Sequence, residues 1–333
     1  MAEPLDVVLV GAGAIARAYL QACAQVPELR PVAVVDPRPE AAAALGDLPW
    51  FPDLARYEHA GPRAAAAFVL APPVHHEPLT VALLARGLHV LCEKPLAIDV
   101  PSATRMLAAA RTAGCRLMMG SKFRYTPDVV HARALLDAGR CGDVVLYENV
   151  FCSPVDMTAR WNSRREVSGG GVLIDNGCHS VDLARYLLGP IARVQAQFGR
   201  RAQAIEVEDT ARLLFTSVSG ALGSVDLSWS MHKETDAYVR IHGTRGTIEI
   251  GWRGSRAKQL GAAWQPFGSG YDKVAAFAGQ LRNFAACIRG EAAPWIDDDD
   301  ALASVVVVDC AYRSAAAERW LPVPDLAAAP EAP

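Results

Sequence analysis

Asp175 and His179 stand four residues apart inside "SGGGVLIDNGCHSVDLARYLLG" (168–189). On a helix that spacing puts both side chains on one face. An imidazole titrates near neutrality and a carboxylate beside it can orient the ring or a substrate, so the pair suits general acid–base work. A plain polar contact that orients a partly buried histidine fits the same spacing. A metal reading would add Cys178, but that residue lies about 60° off the pair's mean direction and no fourth ligand is evident, so no metal is expected. The glycines at 169–171 admit another backbone, or a ligand, at the helix start. Lys94, in "CEKPLA" (92–97), stands where an apolar strand stops. Ligands of open α/β sheets collect beyond the carboxyl ends of strands, so Lys94 faces a cofactor crevice. Once desolvated it can hold or pass a hydroxyl proton. The alternative is a solvated lysine at a strand end.

A third constellation is "GAGAIA" (11–16), with Gly11, Gly13 and Ala16 at the GxGxxA spacing and Ala14 and Ile15 in the first helical turn. The first glycine permits a tight turn, the second lets a pyrophosphate approach the backbone, and Ala16 lets the helix pack on its strand. The helix N-terminus then faces the phosphates. Asp36 ends the next strand, at about the twenty-residue distance at which an acid reads the ribose diol. A carboxylate there repels a 2′-phosphate, which favours NAD, while Arg38 beside it leaves NADP open.

These residues require a particular scaffold. Short apolar strands at 5–10, 31–36, 64–73, 88–95 and 115–121 alternate with helices, among them 78–87 and 99–114, the latter capped by Asp99 or Ser102. That rhythm predicts a doubly wound parallel sheet, covered on both faces. After a helix near 127–138 six strand-like segments follow, from "DVVLYENVF" to "GTIEIGW", several alternating polar with apolar. They predict an open, mostly antiparallel sheet with one packed face. Helices near 272–289 and 299–319 close the chain, and the carboxylates of "WIDDDD" (295–300) cap the second. The expected division is a dinucleotide-binding Rossmann domain over 1–122, an α/β substrate and oligomerisation domain over 123–325, and a disordered tail over 326–333.

Composition narrows the function. The chain has 333 residues, 51% hydrophobic and 21% charged, with net charge −3. No basic stripe suits nucleic acid, and no apolar run is long enough to span a bilayer. The eight cysteines form no CxxC pair and residues 1–10 lack a basic leader, which predicts a cytoplasmic protein with reduced thiols.

Taken together, "GAGAIA", "APPVHHEP", "HVLCEKPLA", "GGGVLIDNGCHSVDL" and the closing "VVVVDCAYRSAAAERWLPVP" resemble the glucose–fructose oxidoreductase / inositol dehydrogenase (Gfo/Idh/MocA) family over nearly the whole length. The resemblance implies a Rossmann domain, then an α/β domain on an open sheet, and nicotinamide-dependent oxidation of a secondary alcohol on a sugar or cyclitol. It also implies that Lys94, Asp175 and His179 carry the chemistry. Ala71, Pro72, Pro73 and His76 would line the cofactor, with Glu93 on the nicotinamide side. Where many relatives have an asparagine, this chain reads "GSKFRY", which puts Lys122 by the cofactor and substrate and Arg124 with it. Trp161, in "TARWNSRREV" (158–167), offers an aromatic face among arginines for a sugar ring with an anionic handle; a solvated loop is the alternative. Alternation in the second sheet predicts a homodimer or homotetramer through that sheet. A non-catalytic NAD(H) sensor on the same fold is the rival reading.

Overall fold

The N-terminal strands are almost unbroken apolar runs because both of their faces are covered. The computed structural model describes residues 3–326; the expected tail lies, from 327 onward, outside the described residues. In chain order the first elements are β1 (Leu5–Val10), α1 (Ala14–Cys23), β2 (Leu29–Val35), α2 (Pro39–Ala43), β3 (Trp50–Phe51), α3 (Leu54–Ala60), β4 (Ala66–Val69), α4 (His76–Leu84), β5 (His89–Glu93), α5 (Val100–Ala113) and β6 (Leu117–Gly120). The sheet order is β3-β2-β1-β4-β5-β6, and every neighbouring pair is parallel. The order reverses at β1, so the crevice for a ligand opens beyond the ends of β1 and β4. Asp99 caps α5 by accepting from the Ser102 amide at 2.8 Å, which decides between the two expected caps. Two-residue β3 is too short to leave a pattern.

The rest of the chain forms α6 (Pro127–Asp137), β7 (Val144–Cys152), α7 (Arg165–Ser168), α8 (Val172–Asp175), α9 (Gly177–Leu188), β8 (Ile191–Phe198), β9 (Thr210–Ser217), β10 (Leu222–Ser228), β11 (Ala237–Gly243), β12 (Gly246–Gly251), β13 (Ser255–Gln259), β14 (Gln265–Phe267), α10 (Lys273–Ile288), α11 (Asp298–Ala317) and β15 (Leu321–Pro322). Two compact units result. One holds the chain up to Lys122 with Asp272–Ala301; the other holds Phe123–Tyr271 and the chain from Leu302. Chain order alone assigns the 272–289 helix to the second region, yet α10 packs with the first. Its Phe277, Leu281 and Phe284 are wholly buried against Leu9, Tyr19, Phe68 and Leu91. Each such side chain is worth about 1.5–3 kcal/mol, and closure entropy grows only logarithmically with the intervening length. The Tyr19 ring lies 4.8 Å from Phe277 and 5.3 Å from Phe68.

The second sheet runs β14-β13-β12-β11-β7-β10-β9-β8-β15. Only β7 and β10 pair in parallel. Its inner face, including Tyr147, Leu213, Phe215, Val225, Leu227 and Ile241, is buried, and α6, α8 and α9 pack on this sheet. The outer face alternates as expected, but six strands became nine. Strands β13, β14 and β15, at and next to the sheet edges, are short (five, three and two residues) and so carry no clear apolar alternation. Asp297 caps α11 through the Asp300 amide at 2.8 Å, as the acidic run predicted.

Candidate active site

In the first unit the glycine turn is built for a dinucleotide. Gly11 has φ +109°, and a Cβ there would meet the backbone of Leu70 and Ala71 at 2.7 Å. Only glycine fits that turn beside β4. Gly13 differs: a Cβ there meets nothing within 4 Å, so the space above it is open. No side chain caps α1 and no acid occupies its first turn. Half-buried Gly13 and Ile15 and exposed Ala14 therefore present bare helix-start amides, while buried Ala16 packs inward. This open cradle fits a pyrophosphate.

Asp36 is 4% exposed. Its carboxylate accepts from the Ala12 amide at 2.7 Å and from the Arg38 amide at 2.9 Å. The Arg38 guanidinium binds both oxygens, at 3.0 and 3.1 Å. Burial raises its pKa, but Arg38 and the two amides outweigh that and hold it below the usual carboxylate value. The anion needed by a ribose diol is thus present at neutral pH. Arg38 is itself exposed and can follow whatever binds there.

At the neighbouring strand ends, Ala71 and Pro72 are half-buried and Pro73 is buried. His76, 1% exposed, sits between the carbonyl oxygens of Ala71 and Pro95, each 2.8 Å from a ring nitrogen. The histidine expected to line the cofactor thus lies between the 71–73 loop and the residue after Lys94, and in its neutral form it donates its one N–H to one of the two carbonyls. Burial, with a smaller push from the Lys94 charge, lowers its pKa. Glu93 lies beneath this edge, fully buried, and Lys94 and Lys122 are half-buried. The Lys122 ammonium stands 5.6 Å over the Phe277 ring.

In the second unit the three glycines have a structural answer. A Cβ on Gly171 would fall 2.0 Å from the Glu208 carbonyl oxygen, and one on Gly170 would fall 2.1 Å from the Tyr312 hydroxyl. It is this chain's own backbone and phenol that approach. One Glu208 carboxylate oxygen accepts from the amides of Gly171 and Leu173 at 3.0 and 3.1 Å and from the Tyr312 hydroxyl at 2.6 Å. It thereby caps α8. The continuous helix expected over the pair is two segments: Asp175 ends α8 and His179 lies in α9. Asn176 between them keeps helical dihedrals, φ −89° and ψ −31°, so the pair stays about one turn apart.

His179 is 5% exposed, and its ring meets Phe123 edge-on at 5.0 Å. Phe123 stacks on Tyr271 at 4.7 Å and packs against Phe151 at 4.9 Å. Sequence reasoning missed this aromatic nest, whose members are scattered along the chain. Arg124 is 2% exposed and pairs with fully buried Asp182 at 2.5 Å, its guanidinium 5.0 Å over the Tyr186 ring. A guanidinium so enclosed and matched braces the helices. Trp161 is 38% exposed in a single turn of helix. The Cys178 thiol points to the Asp175 carbonyl at 3.2 Å. Among the described residues no group of three or more His, Cys, Asp and Glu could hold a metal ion, and no helix is long and apolar enough to cross a membrane.

An open glycine turn with its acid, on a parallel sheet followed by a mostly antiparallel one, defines a two-part nicotinamide-dependent oxidoreductase. The chain belongs to the Gfo/Idh/MocA family. Residues 5–121 match its oxidoreductase model with an NAD-binding Rossmann fold, and residues 129–249 match its C-terminal domain. D-apiose dehydrogenase of Paraburkholderia graminis is 27% identical, covering 98% of this chain and 91% of that protein. A protein of Amycolatopsis mediterranei, provisionally named a UDP-kanosamine synthase oxidoreductase subunit, is 32% identical over 66% of this chain and 67% of its own. Levoglucosan dehydrogenase, solved with NADH and levoglucosan, has the same fold, with TM-score 0.89 and 22% identity over 97% of this chain and 100% of that one.

Proposed function

We propose that the protein interconverts a secondary alcohol and a ketone on a sugar or cyclitol, with NAD preferred over NADP. The observation that carries this reading is the pairing of an open cradle at Gly13 with an ionised, amide-held Asp36 at the end of β2. A nicotinamide held in this cradle would supply the hydride acceptor, or donor, for the carbinol carbon. His179 takes the hydroxyl proton, its imidazole held edge-on by Phe123. Lys94 hydrogen-bonds the same oxygen and stabilises the developing alkoxide. Asp175, one turn before His179, orients the sugar. Pro72, Pro73 and Lys122 border the cofactor, and Arg124 serves the fold.

The deciding experiment follows absorbance of the reduced nicotinamide with NAD and with NADP over a panel of inositols, free aldoses, anhydrosugars and UDP-linked sugars. Turnover with at least one of them, at lower KM for NAD, is expected. Tight NADH binding with no turnover on any of them would favour a sensor. The UDP-linked arm is included because the guanidinium groups of Arg160, Arg164 and Arg165 make no ion pair among the described residues and flank exposed Trp161. A diphosphate offers them bidentate partners.

The outer face of the second sheet favours self-association. Leu146, Leu214 and Leu222 are each more than a third exposed on adjacent strands β7, β9 and β10. Bidentate pairing of Arg212 with Asp226 borders them at 2.6 and 3.1 Å. Light scattering should report a dimer or tetramer, and Leu222→Glu should shift it toward monomer; a monomeric wild type would refute this.

A further inference from the structure

Glu93 is held by polar groups of the first unit. The Tyr19 hydroxyl of α1 donates to one carboxylate oxygen at 2.7 Å, and the Lys94 amide donates to the other at 3.1 Å. Tyr19 has a single proton, already committed to Glu93. Its oxygen therefore accepts from the Gln280 amide nitrogen of α10, at 3.0 Å, which fixes how that amide is turned. Gly120, at the end of β6, leaves room for the group: a Cβ there would come within 2.9 Å of the Tyr19 oxygen and 3.3 Å of the carboxylate. Phe277, one turn before Gln280, carries the Lys122 ammonium over its ring and packs on Tyr19. Four elements thus converge on one buried carboxylate, with Lys94 next to it in the chain and Lys122 over the neighbouring Phe277 ring.

Such a carboxylate is expensive unless charge and hydrogen bonds match it. Burial raises its pKa above the usual carboxylate value, and the charges of Lys122 and Lys94 with the Tyr19 hydroxyl and the Lys94 amide offset only part of that rise. Three other titratable neighbours within the first unit are neutral. Cys92 and Tyr19 are pushed far up by burial, and His76 is pushed down by burial and by Lys94.

We propose that Glu93 is the buried counter-charge of Lys94 and Lys122, and that Tyr19 and Gln280 are positioning residues that hold it there so that Lys94 keeps its proton and its aim. The meaning of this assembly rests on the role given to Lys94 above; its test does not. Removing an adjacent anion destabilises an ammonium, and removing an adjacent cation stabilises it.

The test is competitive labelling of lysines in the full-length protein with acetic anhydride at a series of pH values, read by mass spectrometry. Relative to wild type, Glu93→Gln should lower the titration midpoint of Lys94 by about one pH unit. Tyr19→Phe should lower it by less, since it weakens the anion without deleting it. Lys122→Met should raise it, and serves if Glu93→Gln does not fold. A Lys94 midpoint unmoved in both Tyr19→Phe and Lys122→Met, or in a folded Glu93→Gln, overturns the proposal. If the midpoints move but Lys94→Ala still turns over sugar, the counter-charge stands and the catalytic reading of Lys94 falls.

Discussion

Lys94→Ala is expected to cut kcat about 10²–10⁴-fold, the range supplied by a positioned acid–base group, while NADH affinity changes little. Selectivity is the point of the prediction. The substitution keeps the Lys94 amide, and so its 3.1 Å hydrogen bond to Glu93, and removes only the ammonium. The glycine turn and Asp36 are untouched, so fluorescence titration with NADH should give a dissociation constant near wild type. His179→Ala should produce a loss of the same order with the sugar that turns over fastest in the panel. The pair matters more than either member. If both act on one oxygen, the double variant should lose far less than the product of the two single losses, because groups working as a unit are not additive. Full additivity would place them in separate steps. Near-wild-type turnover in both single variants would remove the mechanism.

Legibility of the fold followed the strength of local patterns. The parallel sheet was plain because a strand covered on both faces must be apolar where it is buried, as "VVLV" and "AAFV" are. Asp36 and Gly13 stood out because the pattern that singles them out depends on short-range spacing. What stayed hidden were pairings between residues far apart in sequence. Nothing around Gln280 announces that it will reach Tyr19, 261 residues away, and the stripe of Phe277, Leu281 and Phe284 says only that some apolar surface awaits it. Arg124 illustrates the converse. A basic residue beside a suspected site looked like a ligand, but its carboxylate partner, Asp182, is 58 residues on and wholly buried. His76 opens α4 just after the 71–73 loop, and the placing of its ring between two carbonyl oxygens is a matter of backbone path, which composition cannot reveal.

Two glycine-to-alanine substitutions should separate fold from function. At Gly171 the new methyl would sit 2.0 Å from the Glu208 carbonyl oxygen and 2.9 Å from its carboxyl carbon. The first of these is backbone, so relief requires moving β9's approach or the start of α8. Either motion also breaks the Val172 amide bond to the Glu208 carbonyl, at 2.9 Å, and the amide bonds to its carboxylate. Overpacking combined with the loss of a buried cap should cost about 3–5 kcal/mol, or roughly 10 °C in Tm for a unit of this size. At Gly13 the backbone is extended, at φ −71° and ψ −176°, and a methyl meets nothing. Gly13→Ala should therefore melt within about a degree of wild type. The same methyl stands where the pyrophosphate must approach, and losing that close contact should weaken NADH binding about tenfold or more. Calorimetry and NADH titration on both variants check the contrast. A stable Gly171→Ala protein would mean that Glu208 does not pin α8, and an unaltered NADH affinity in Gly13→Ala would mean that the dinucleotide does not cross the turn.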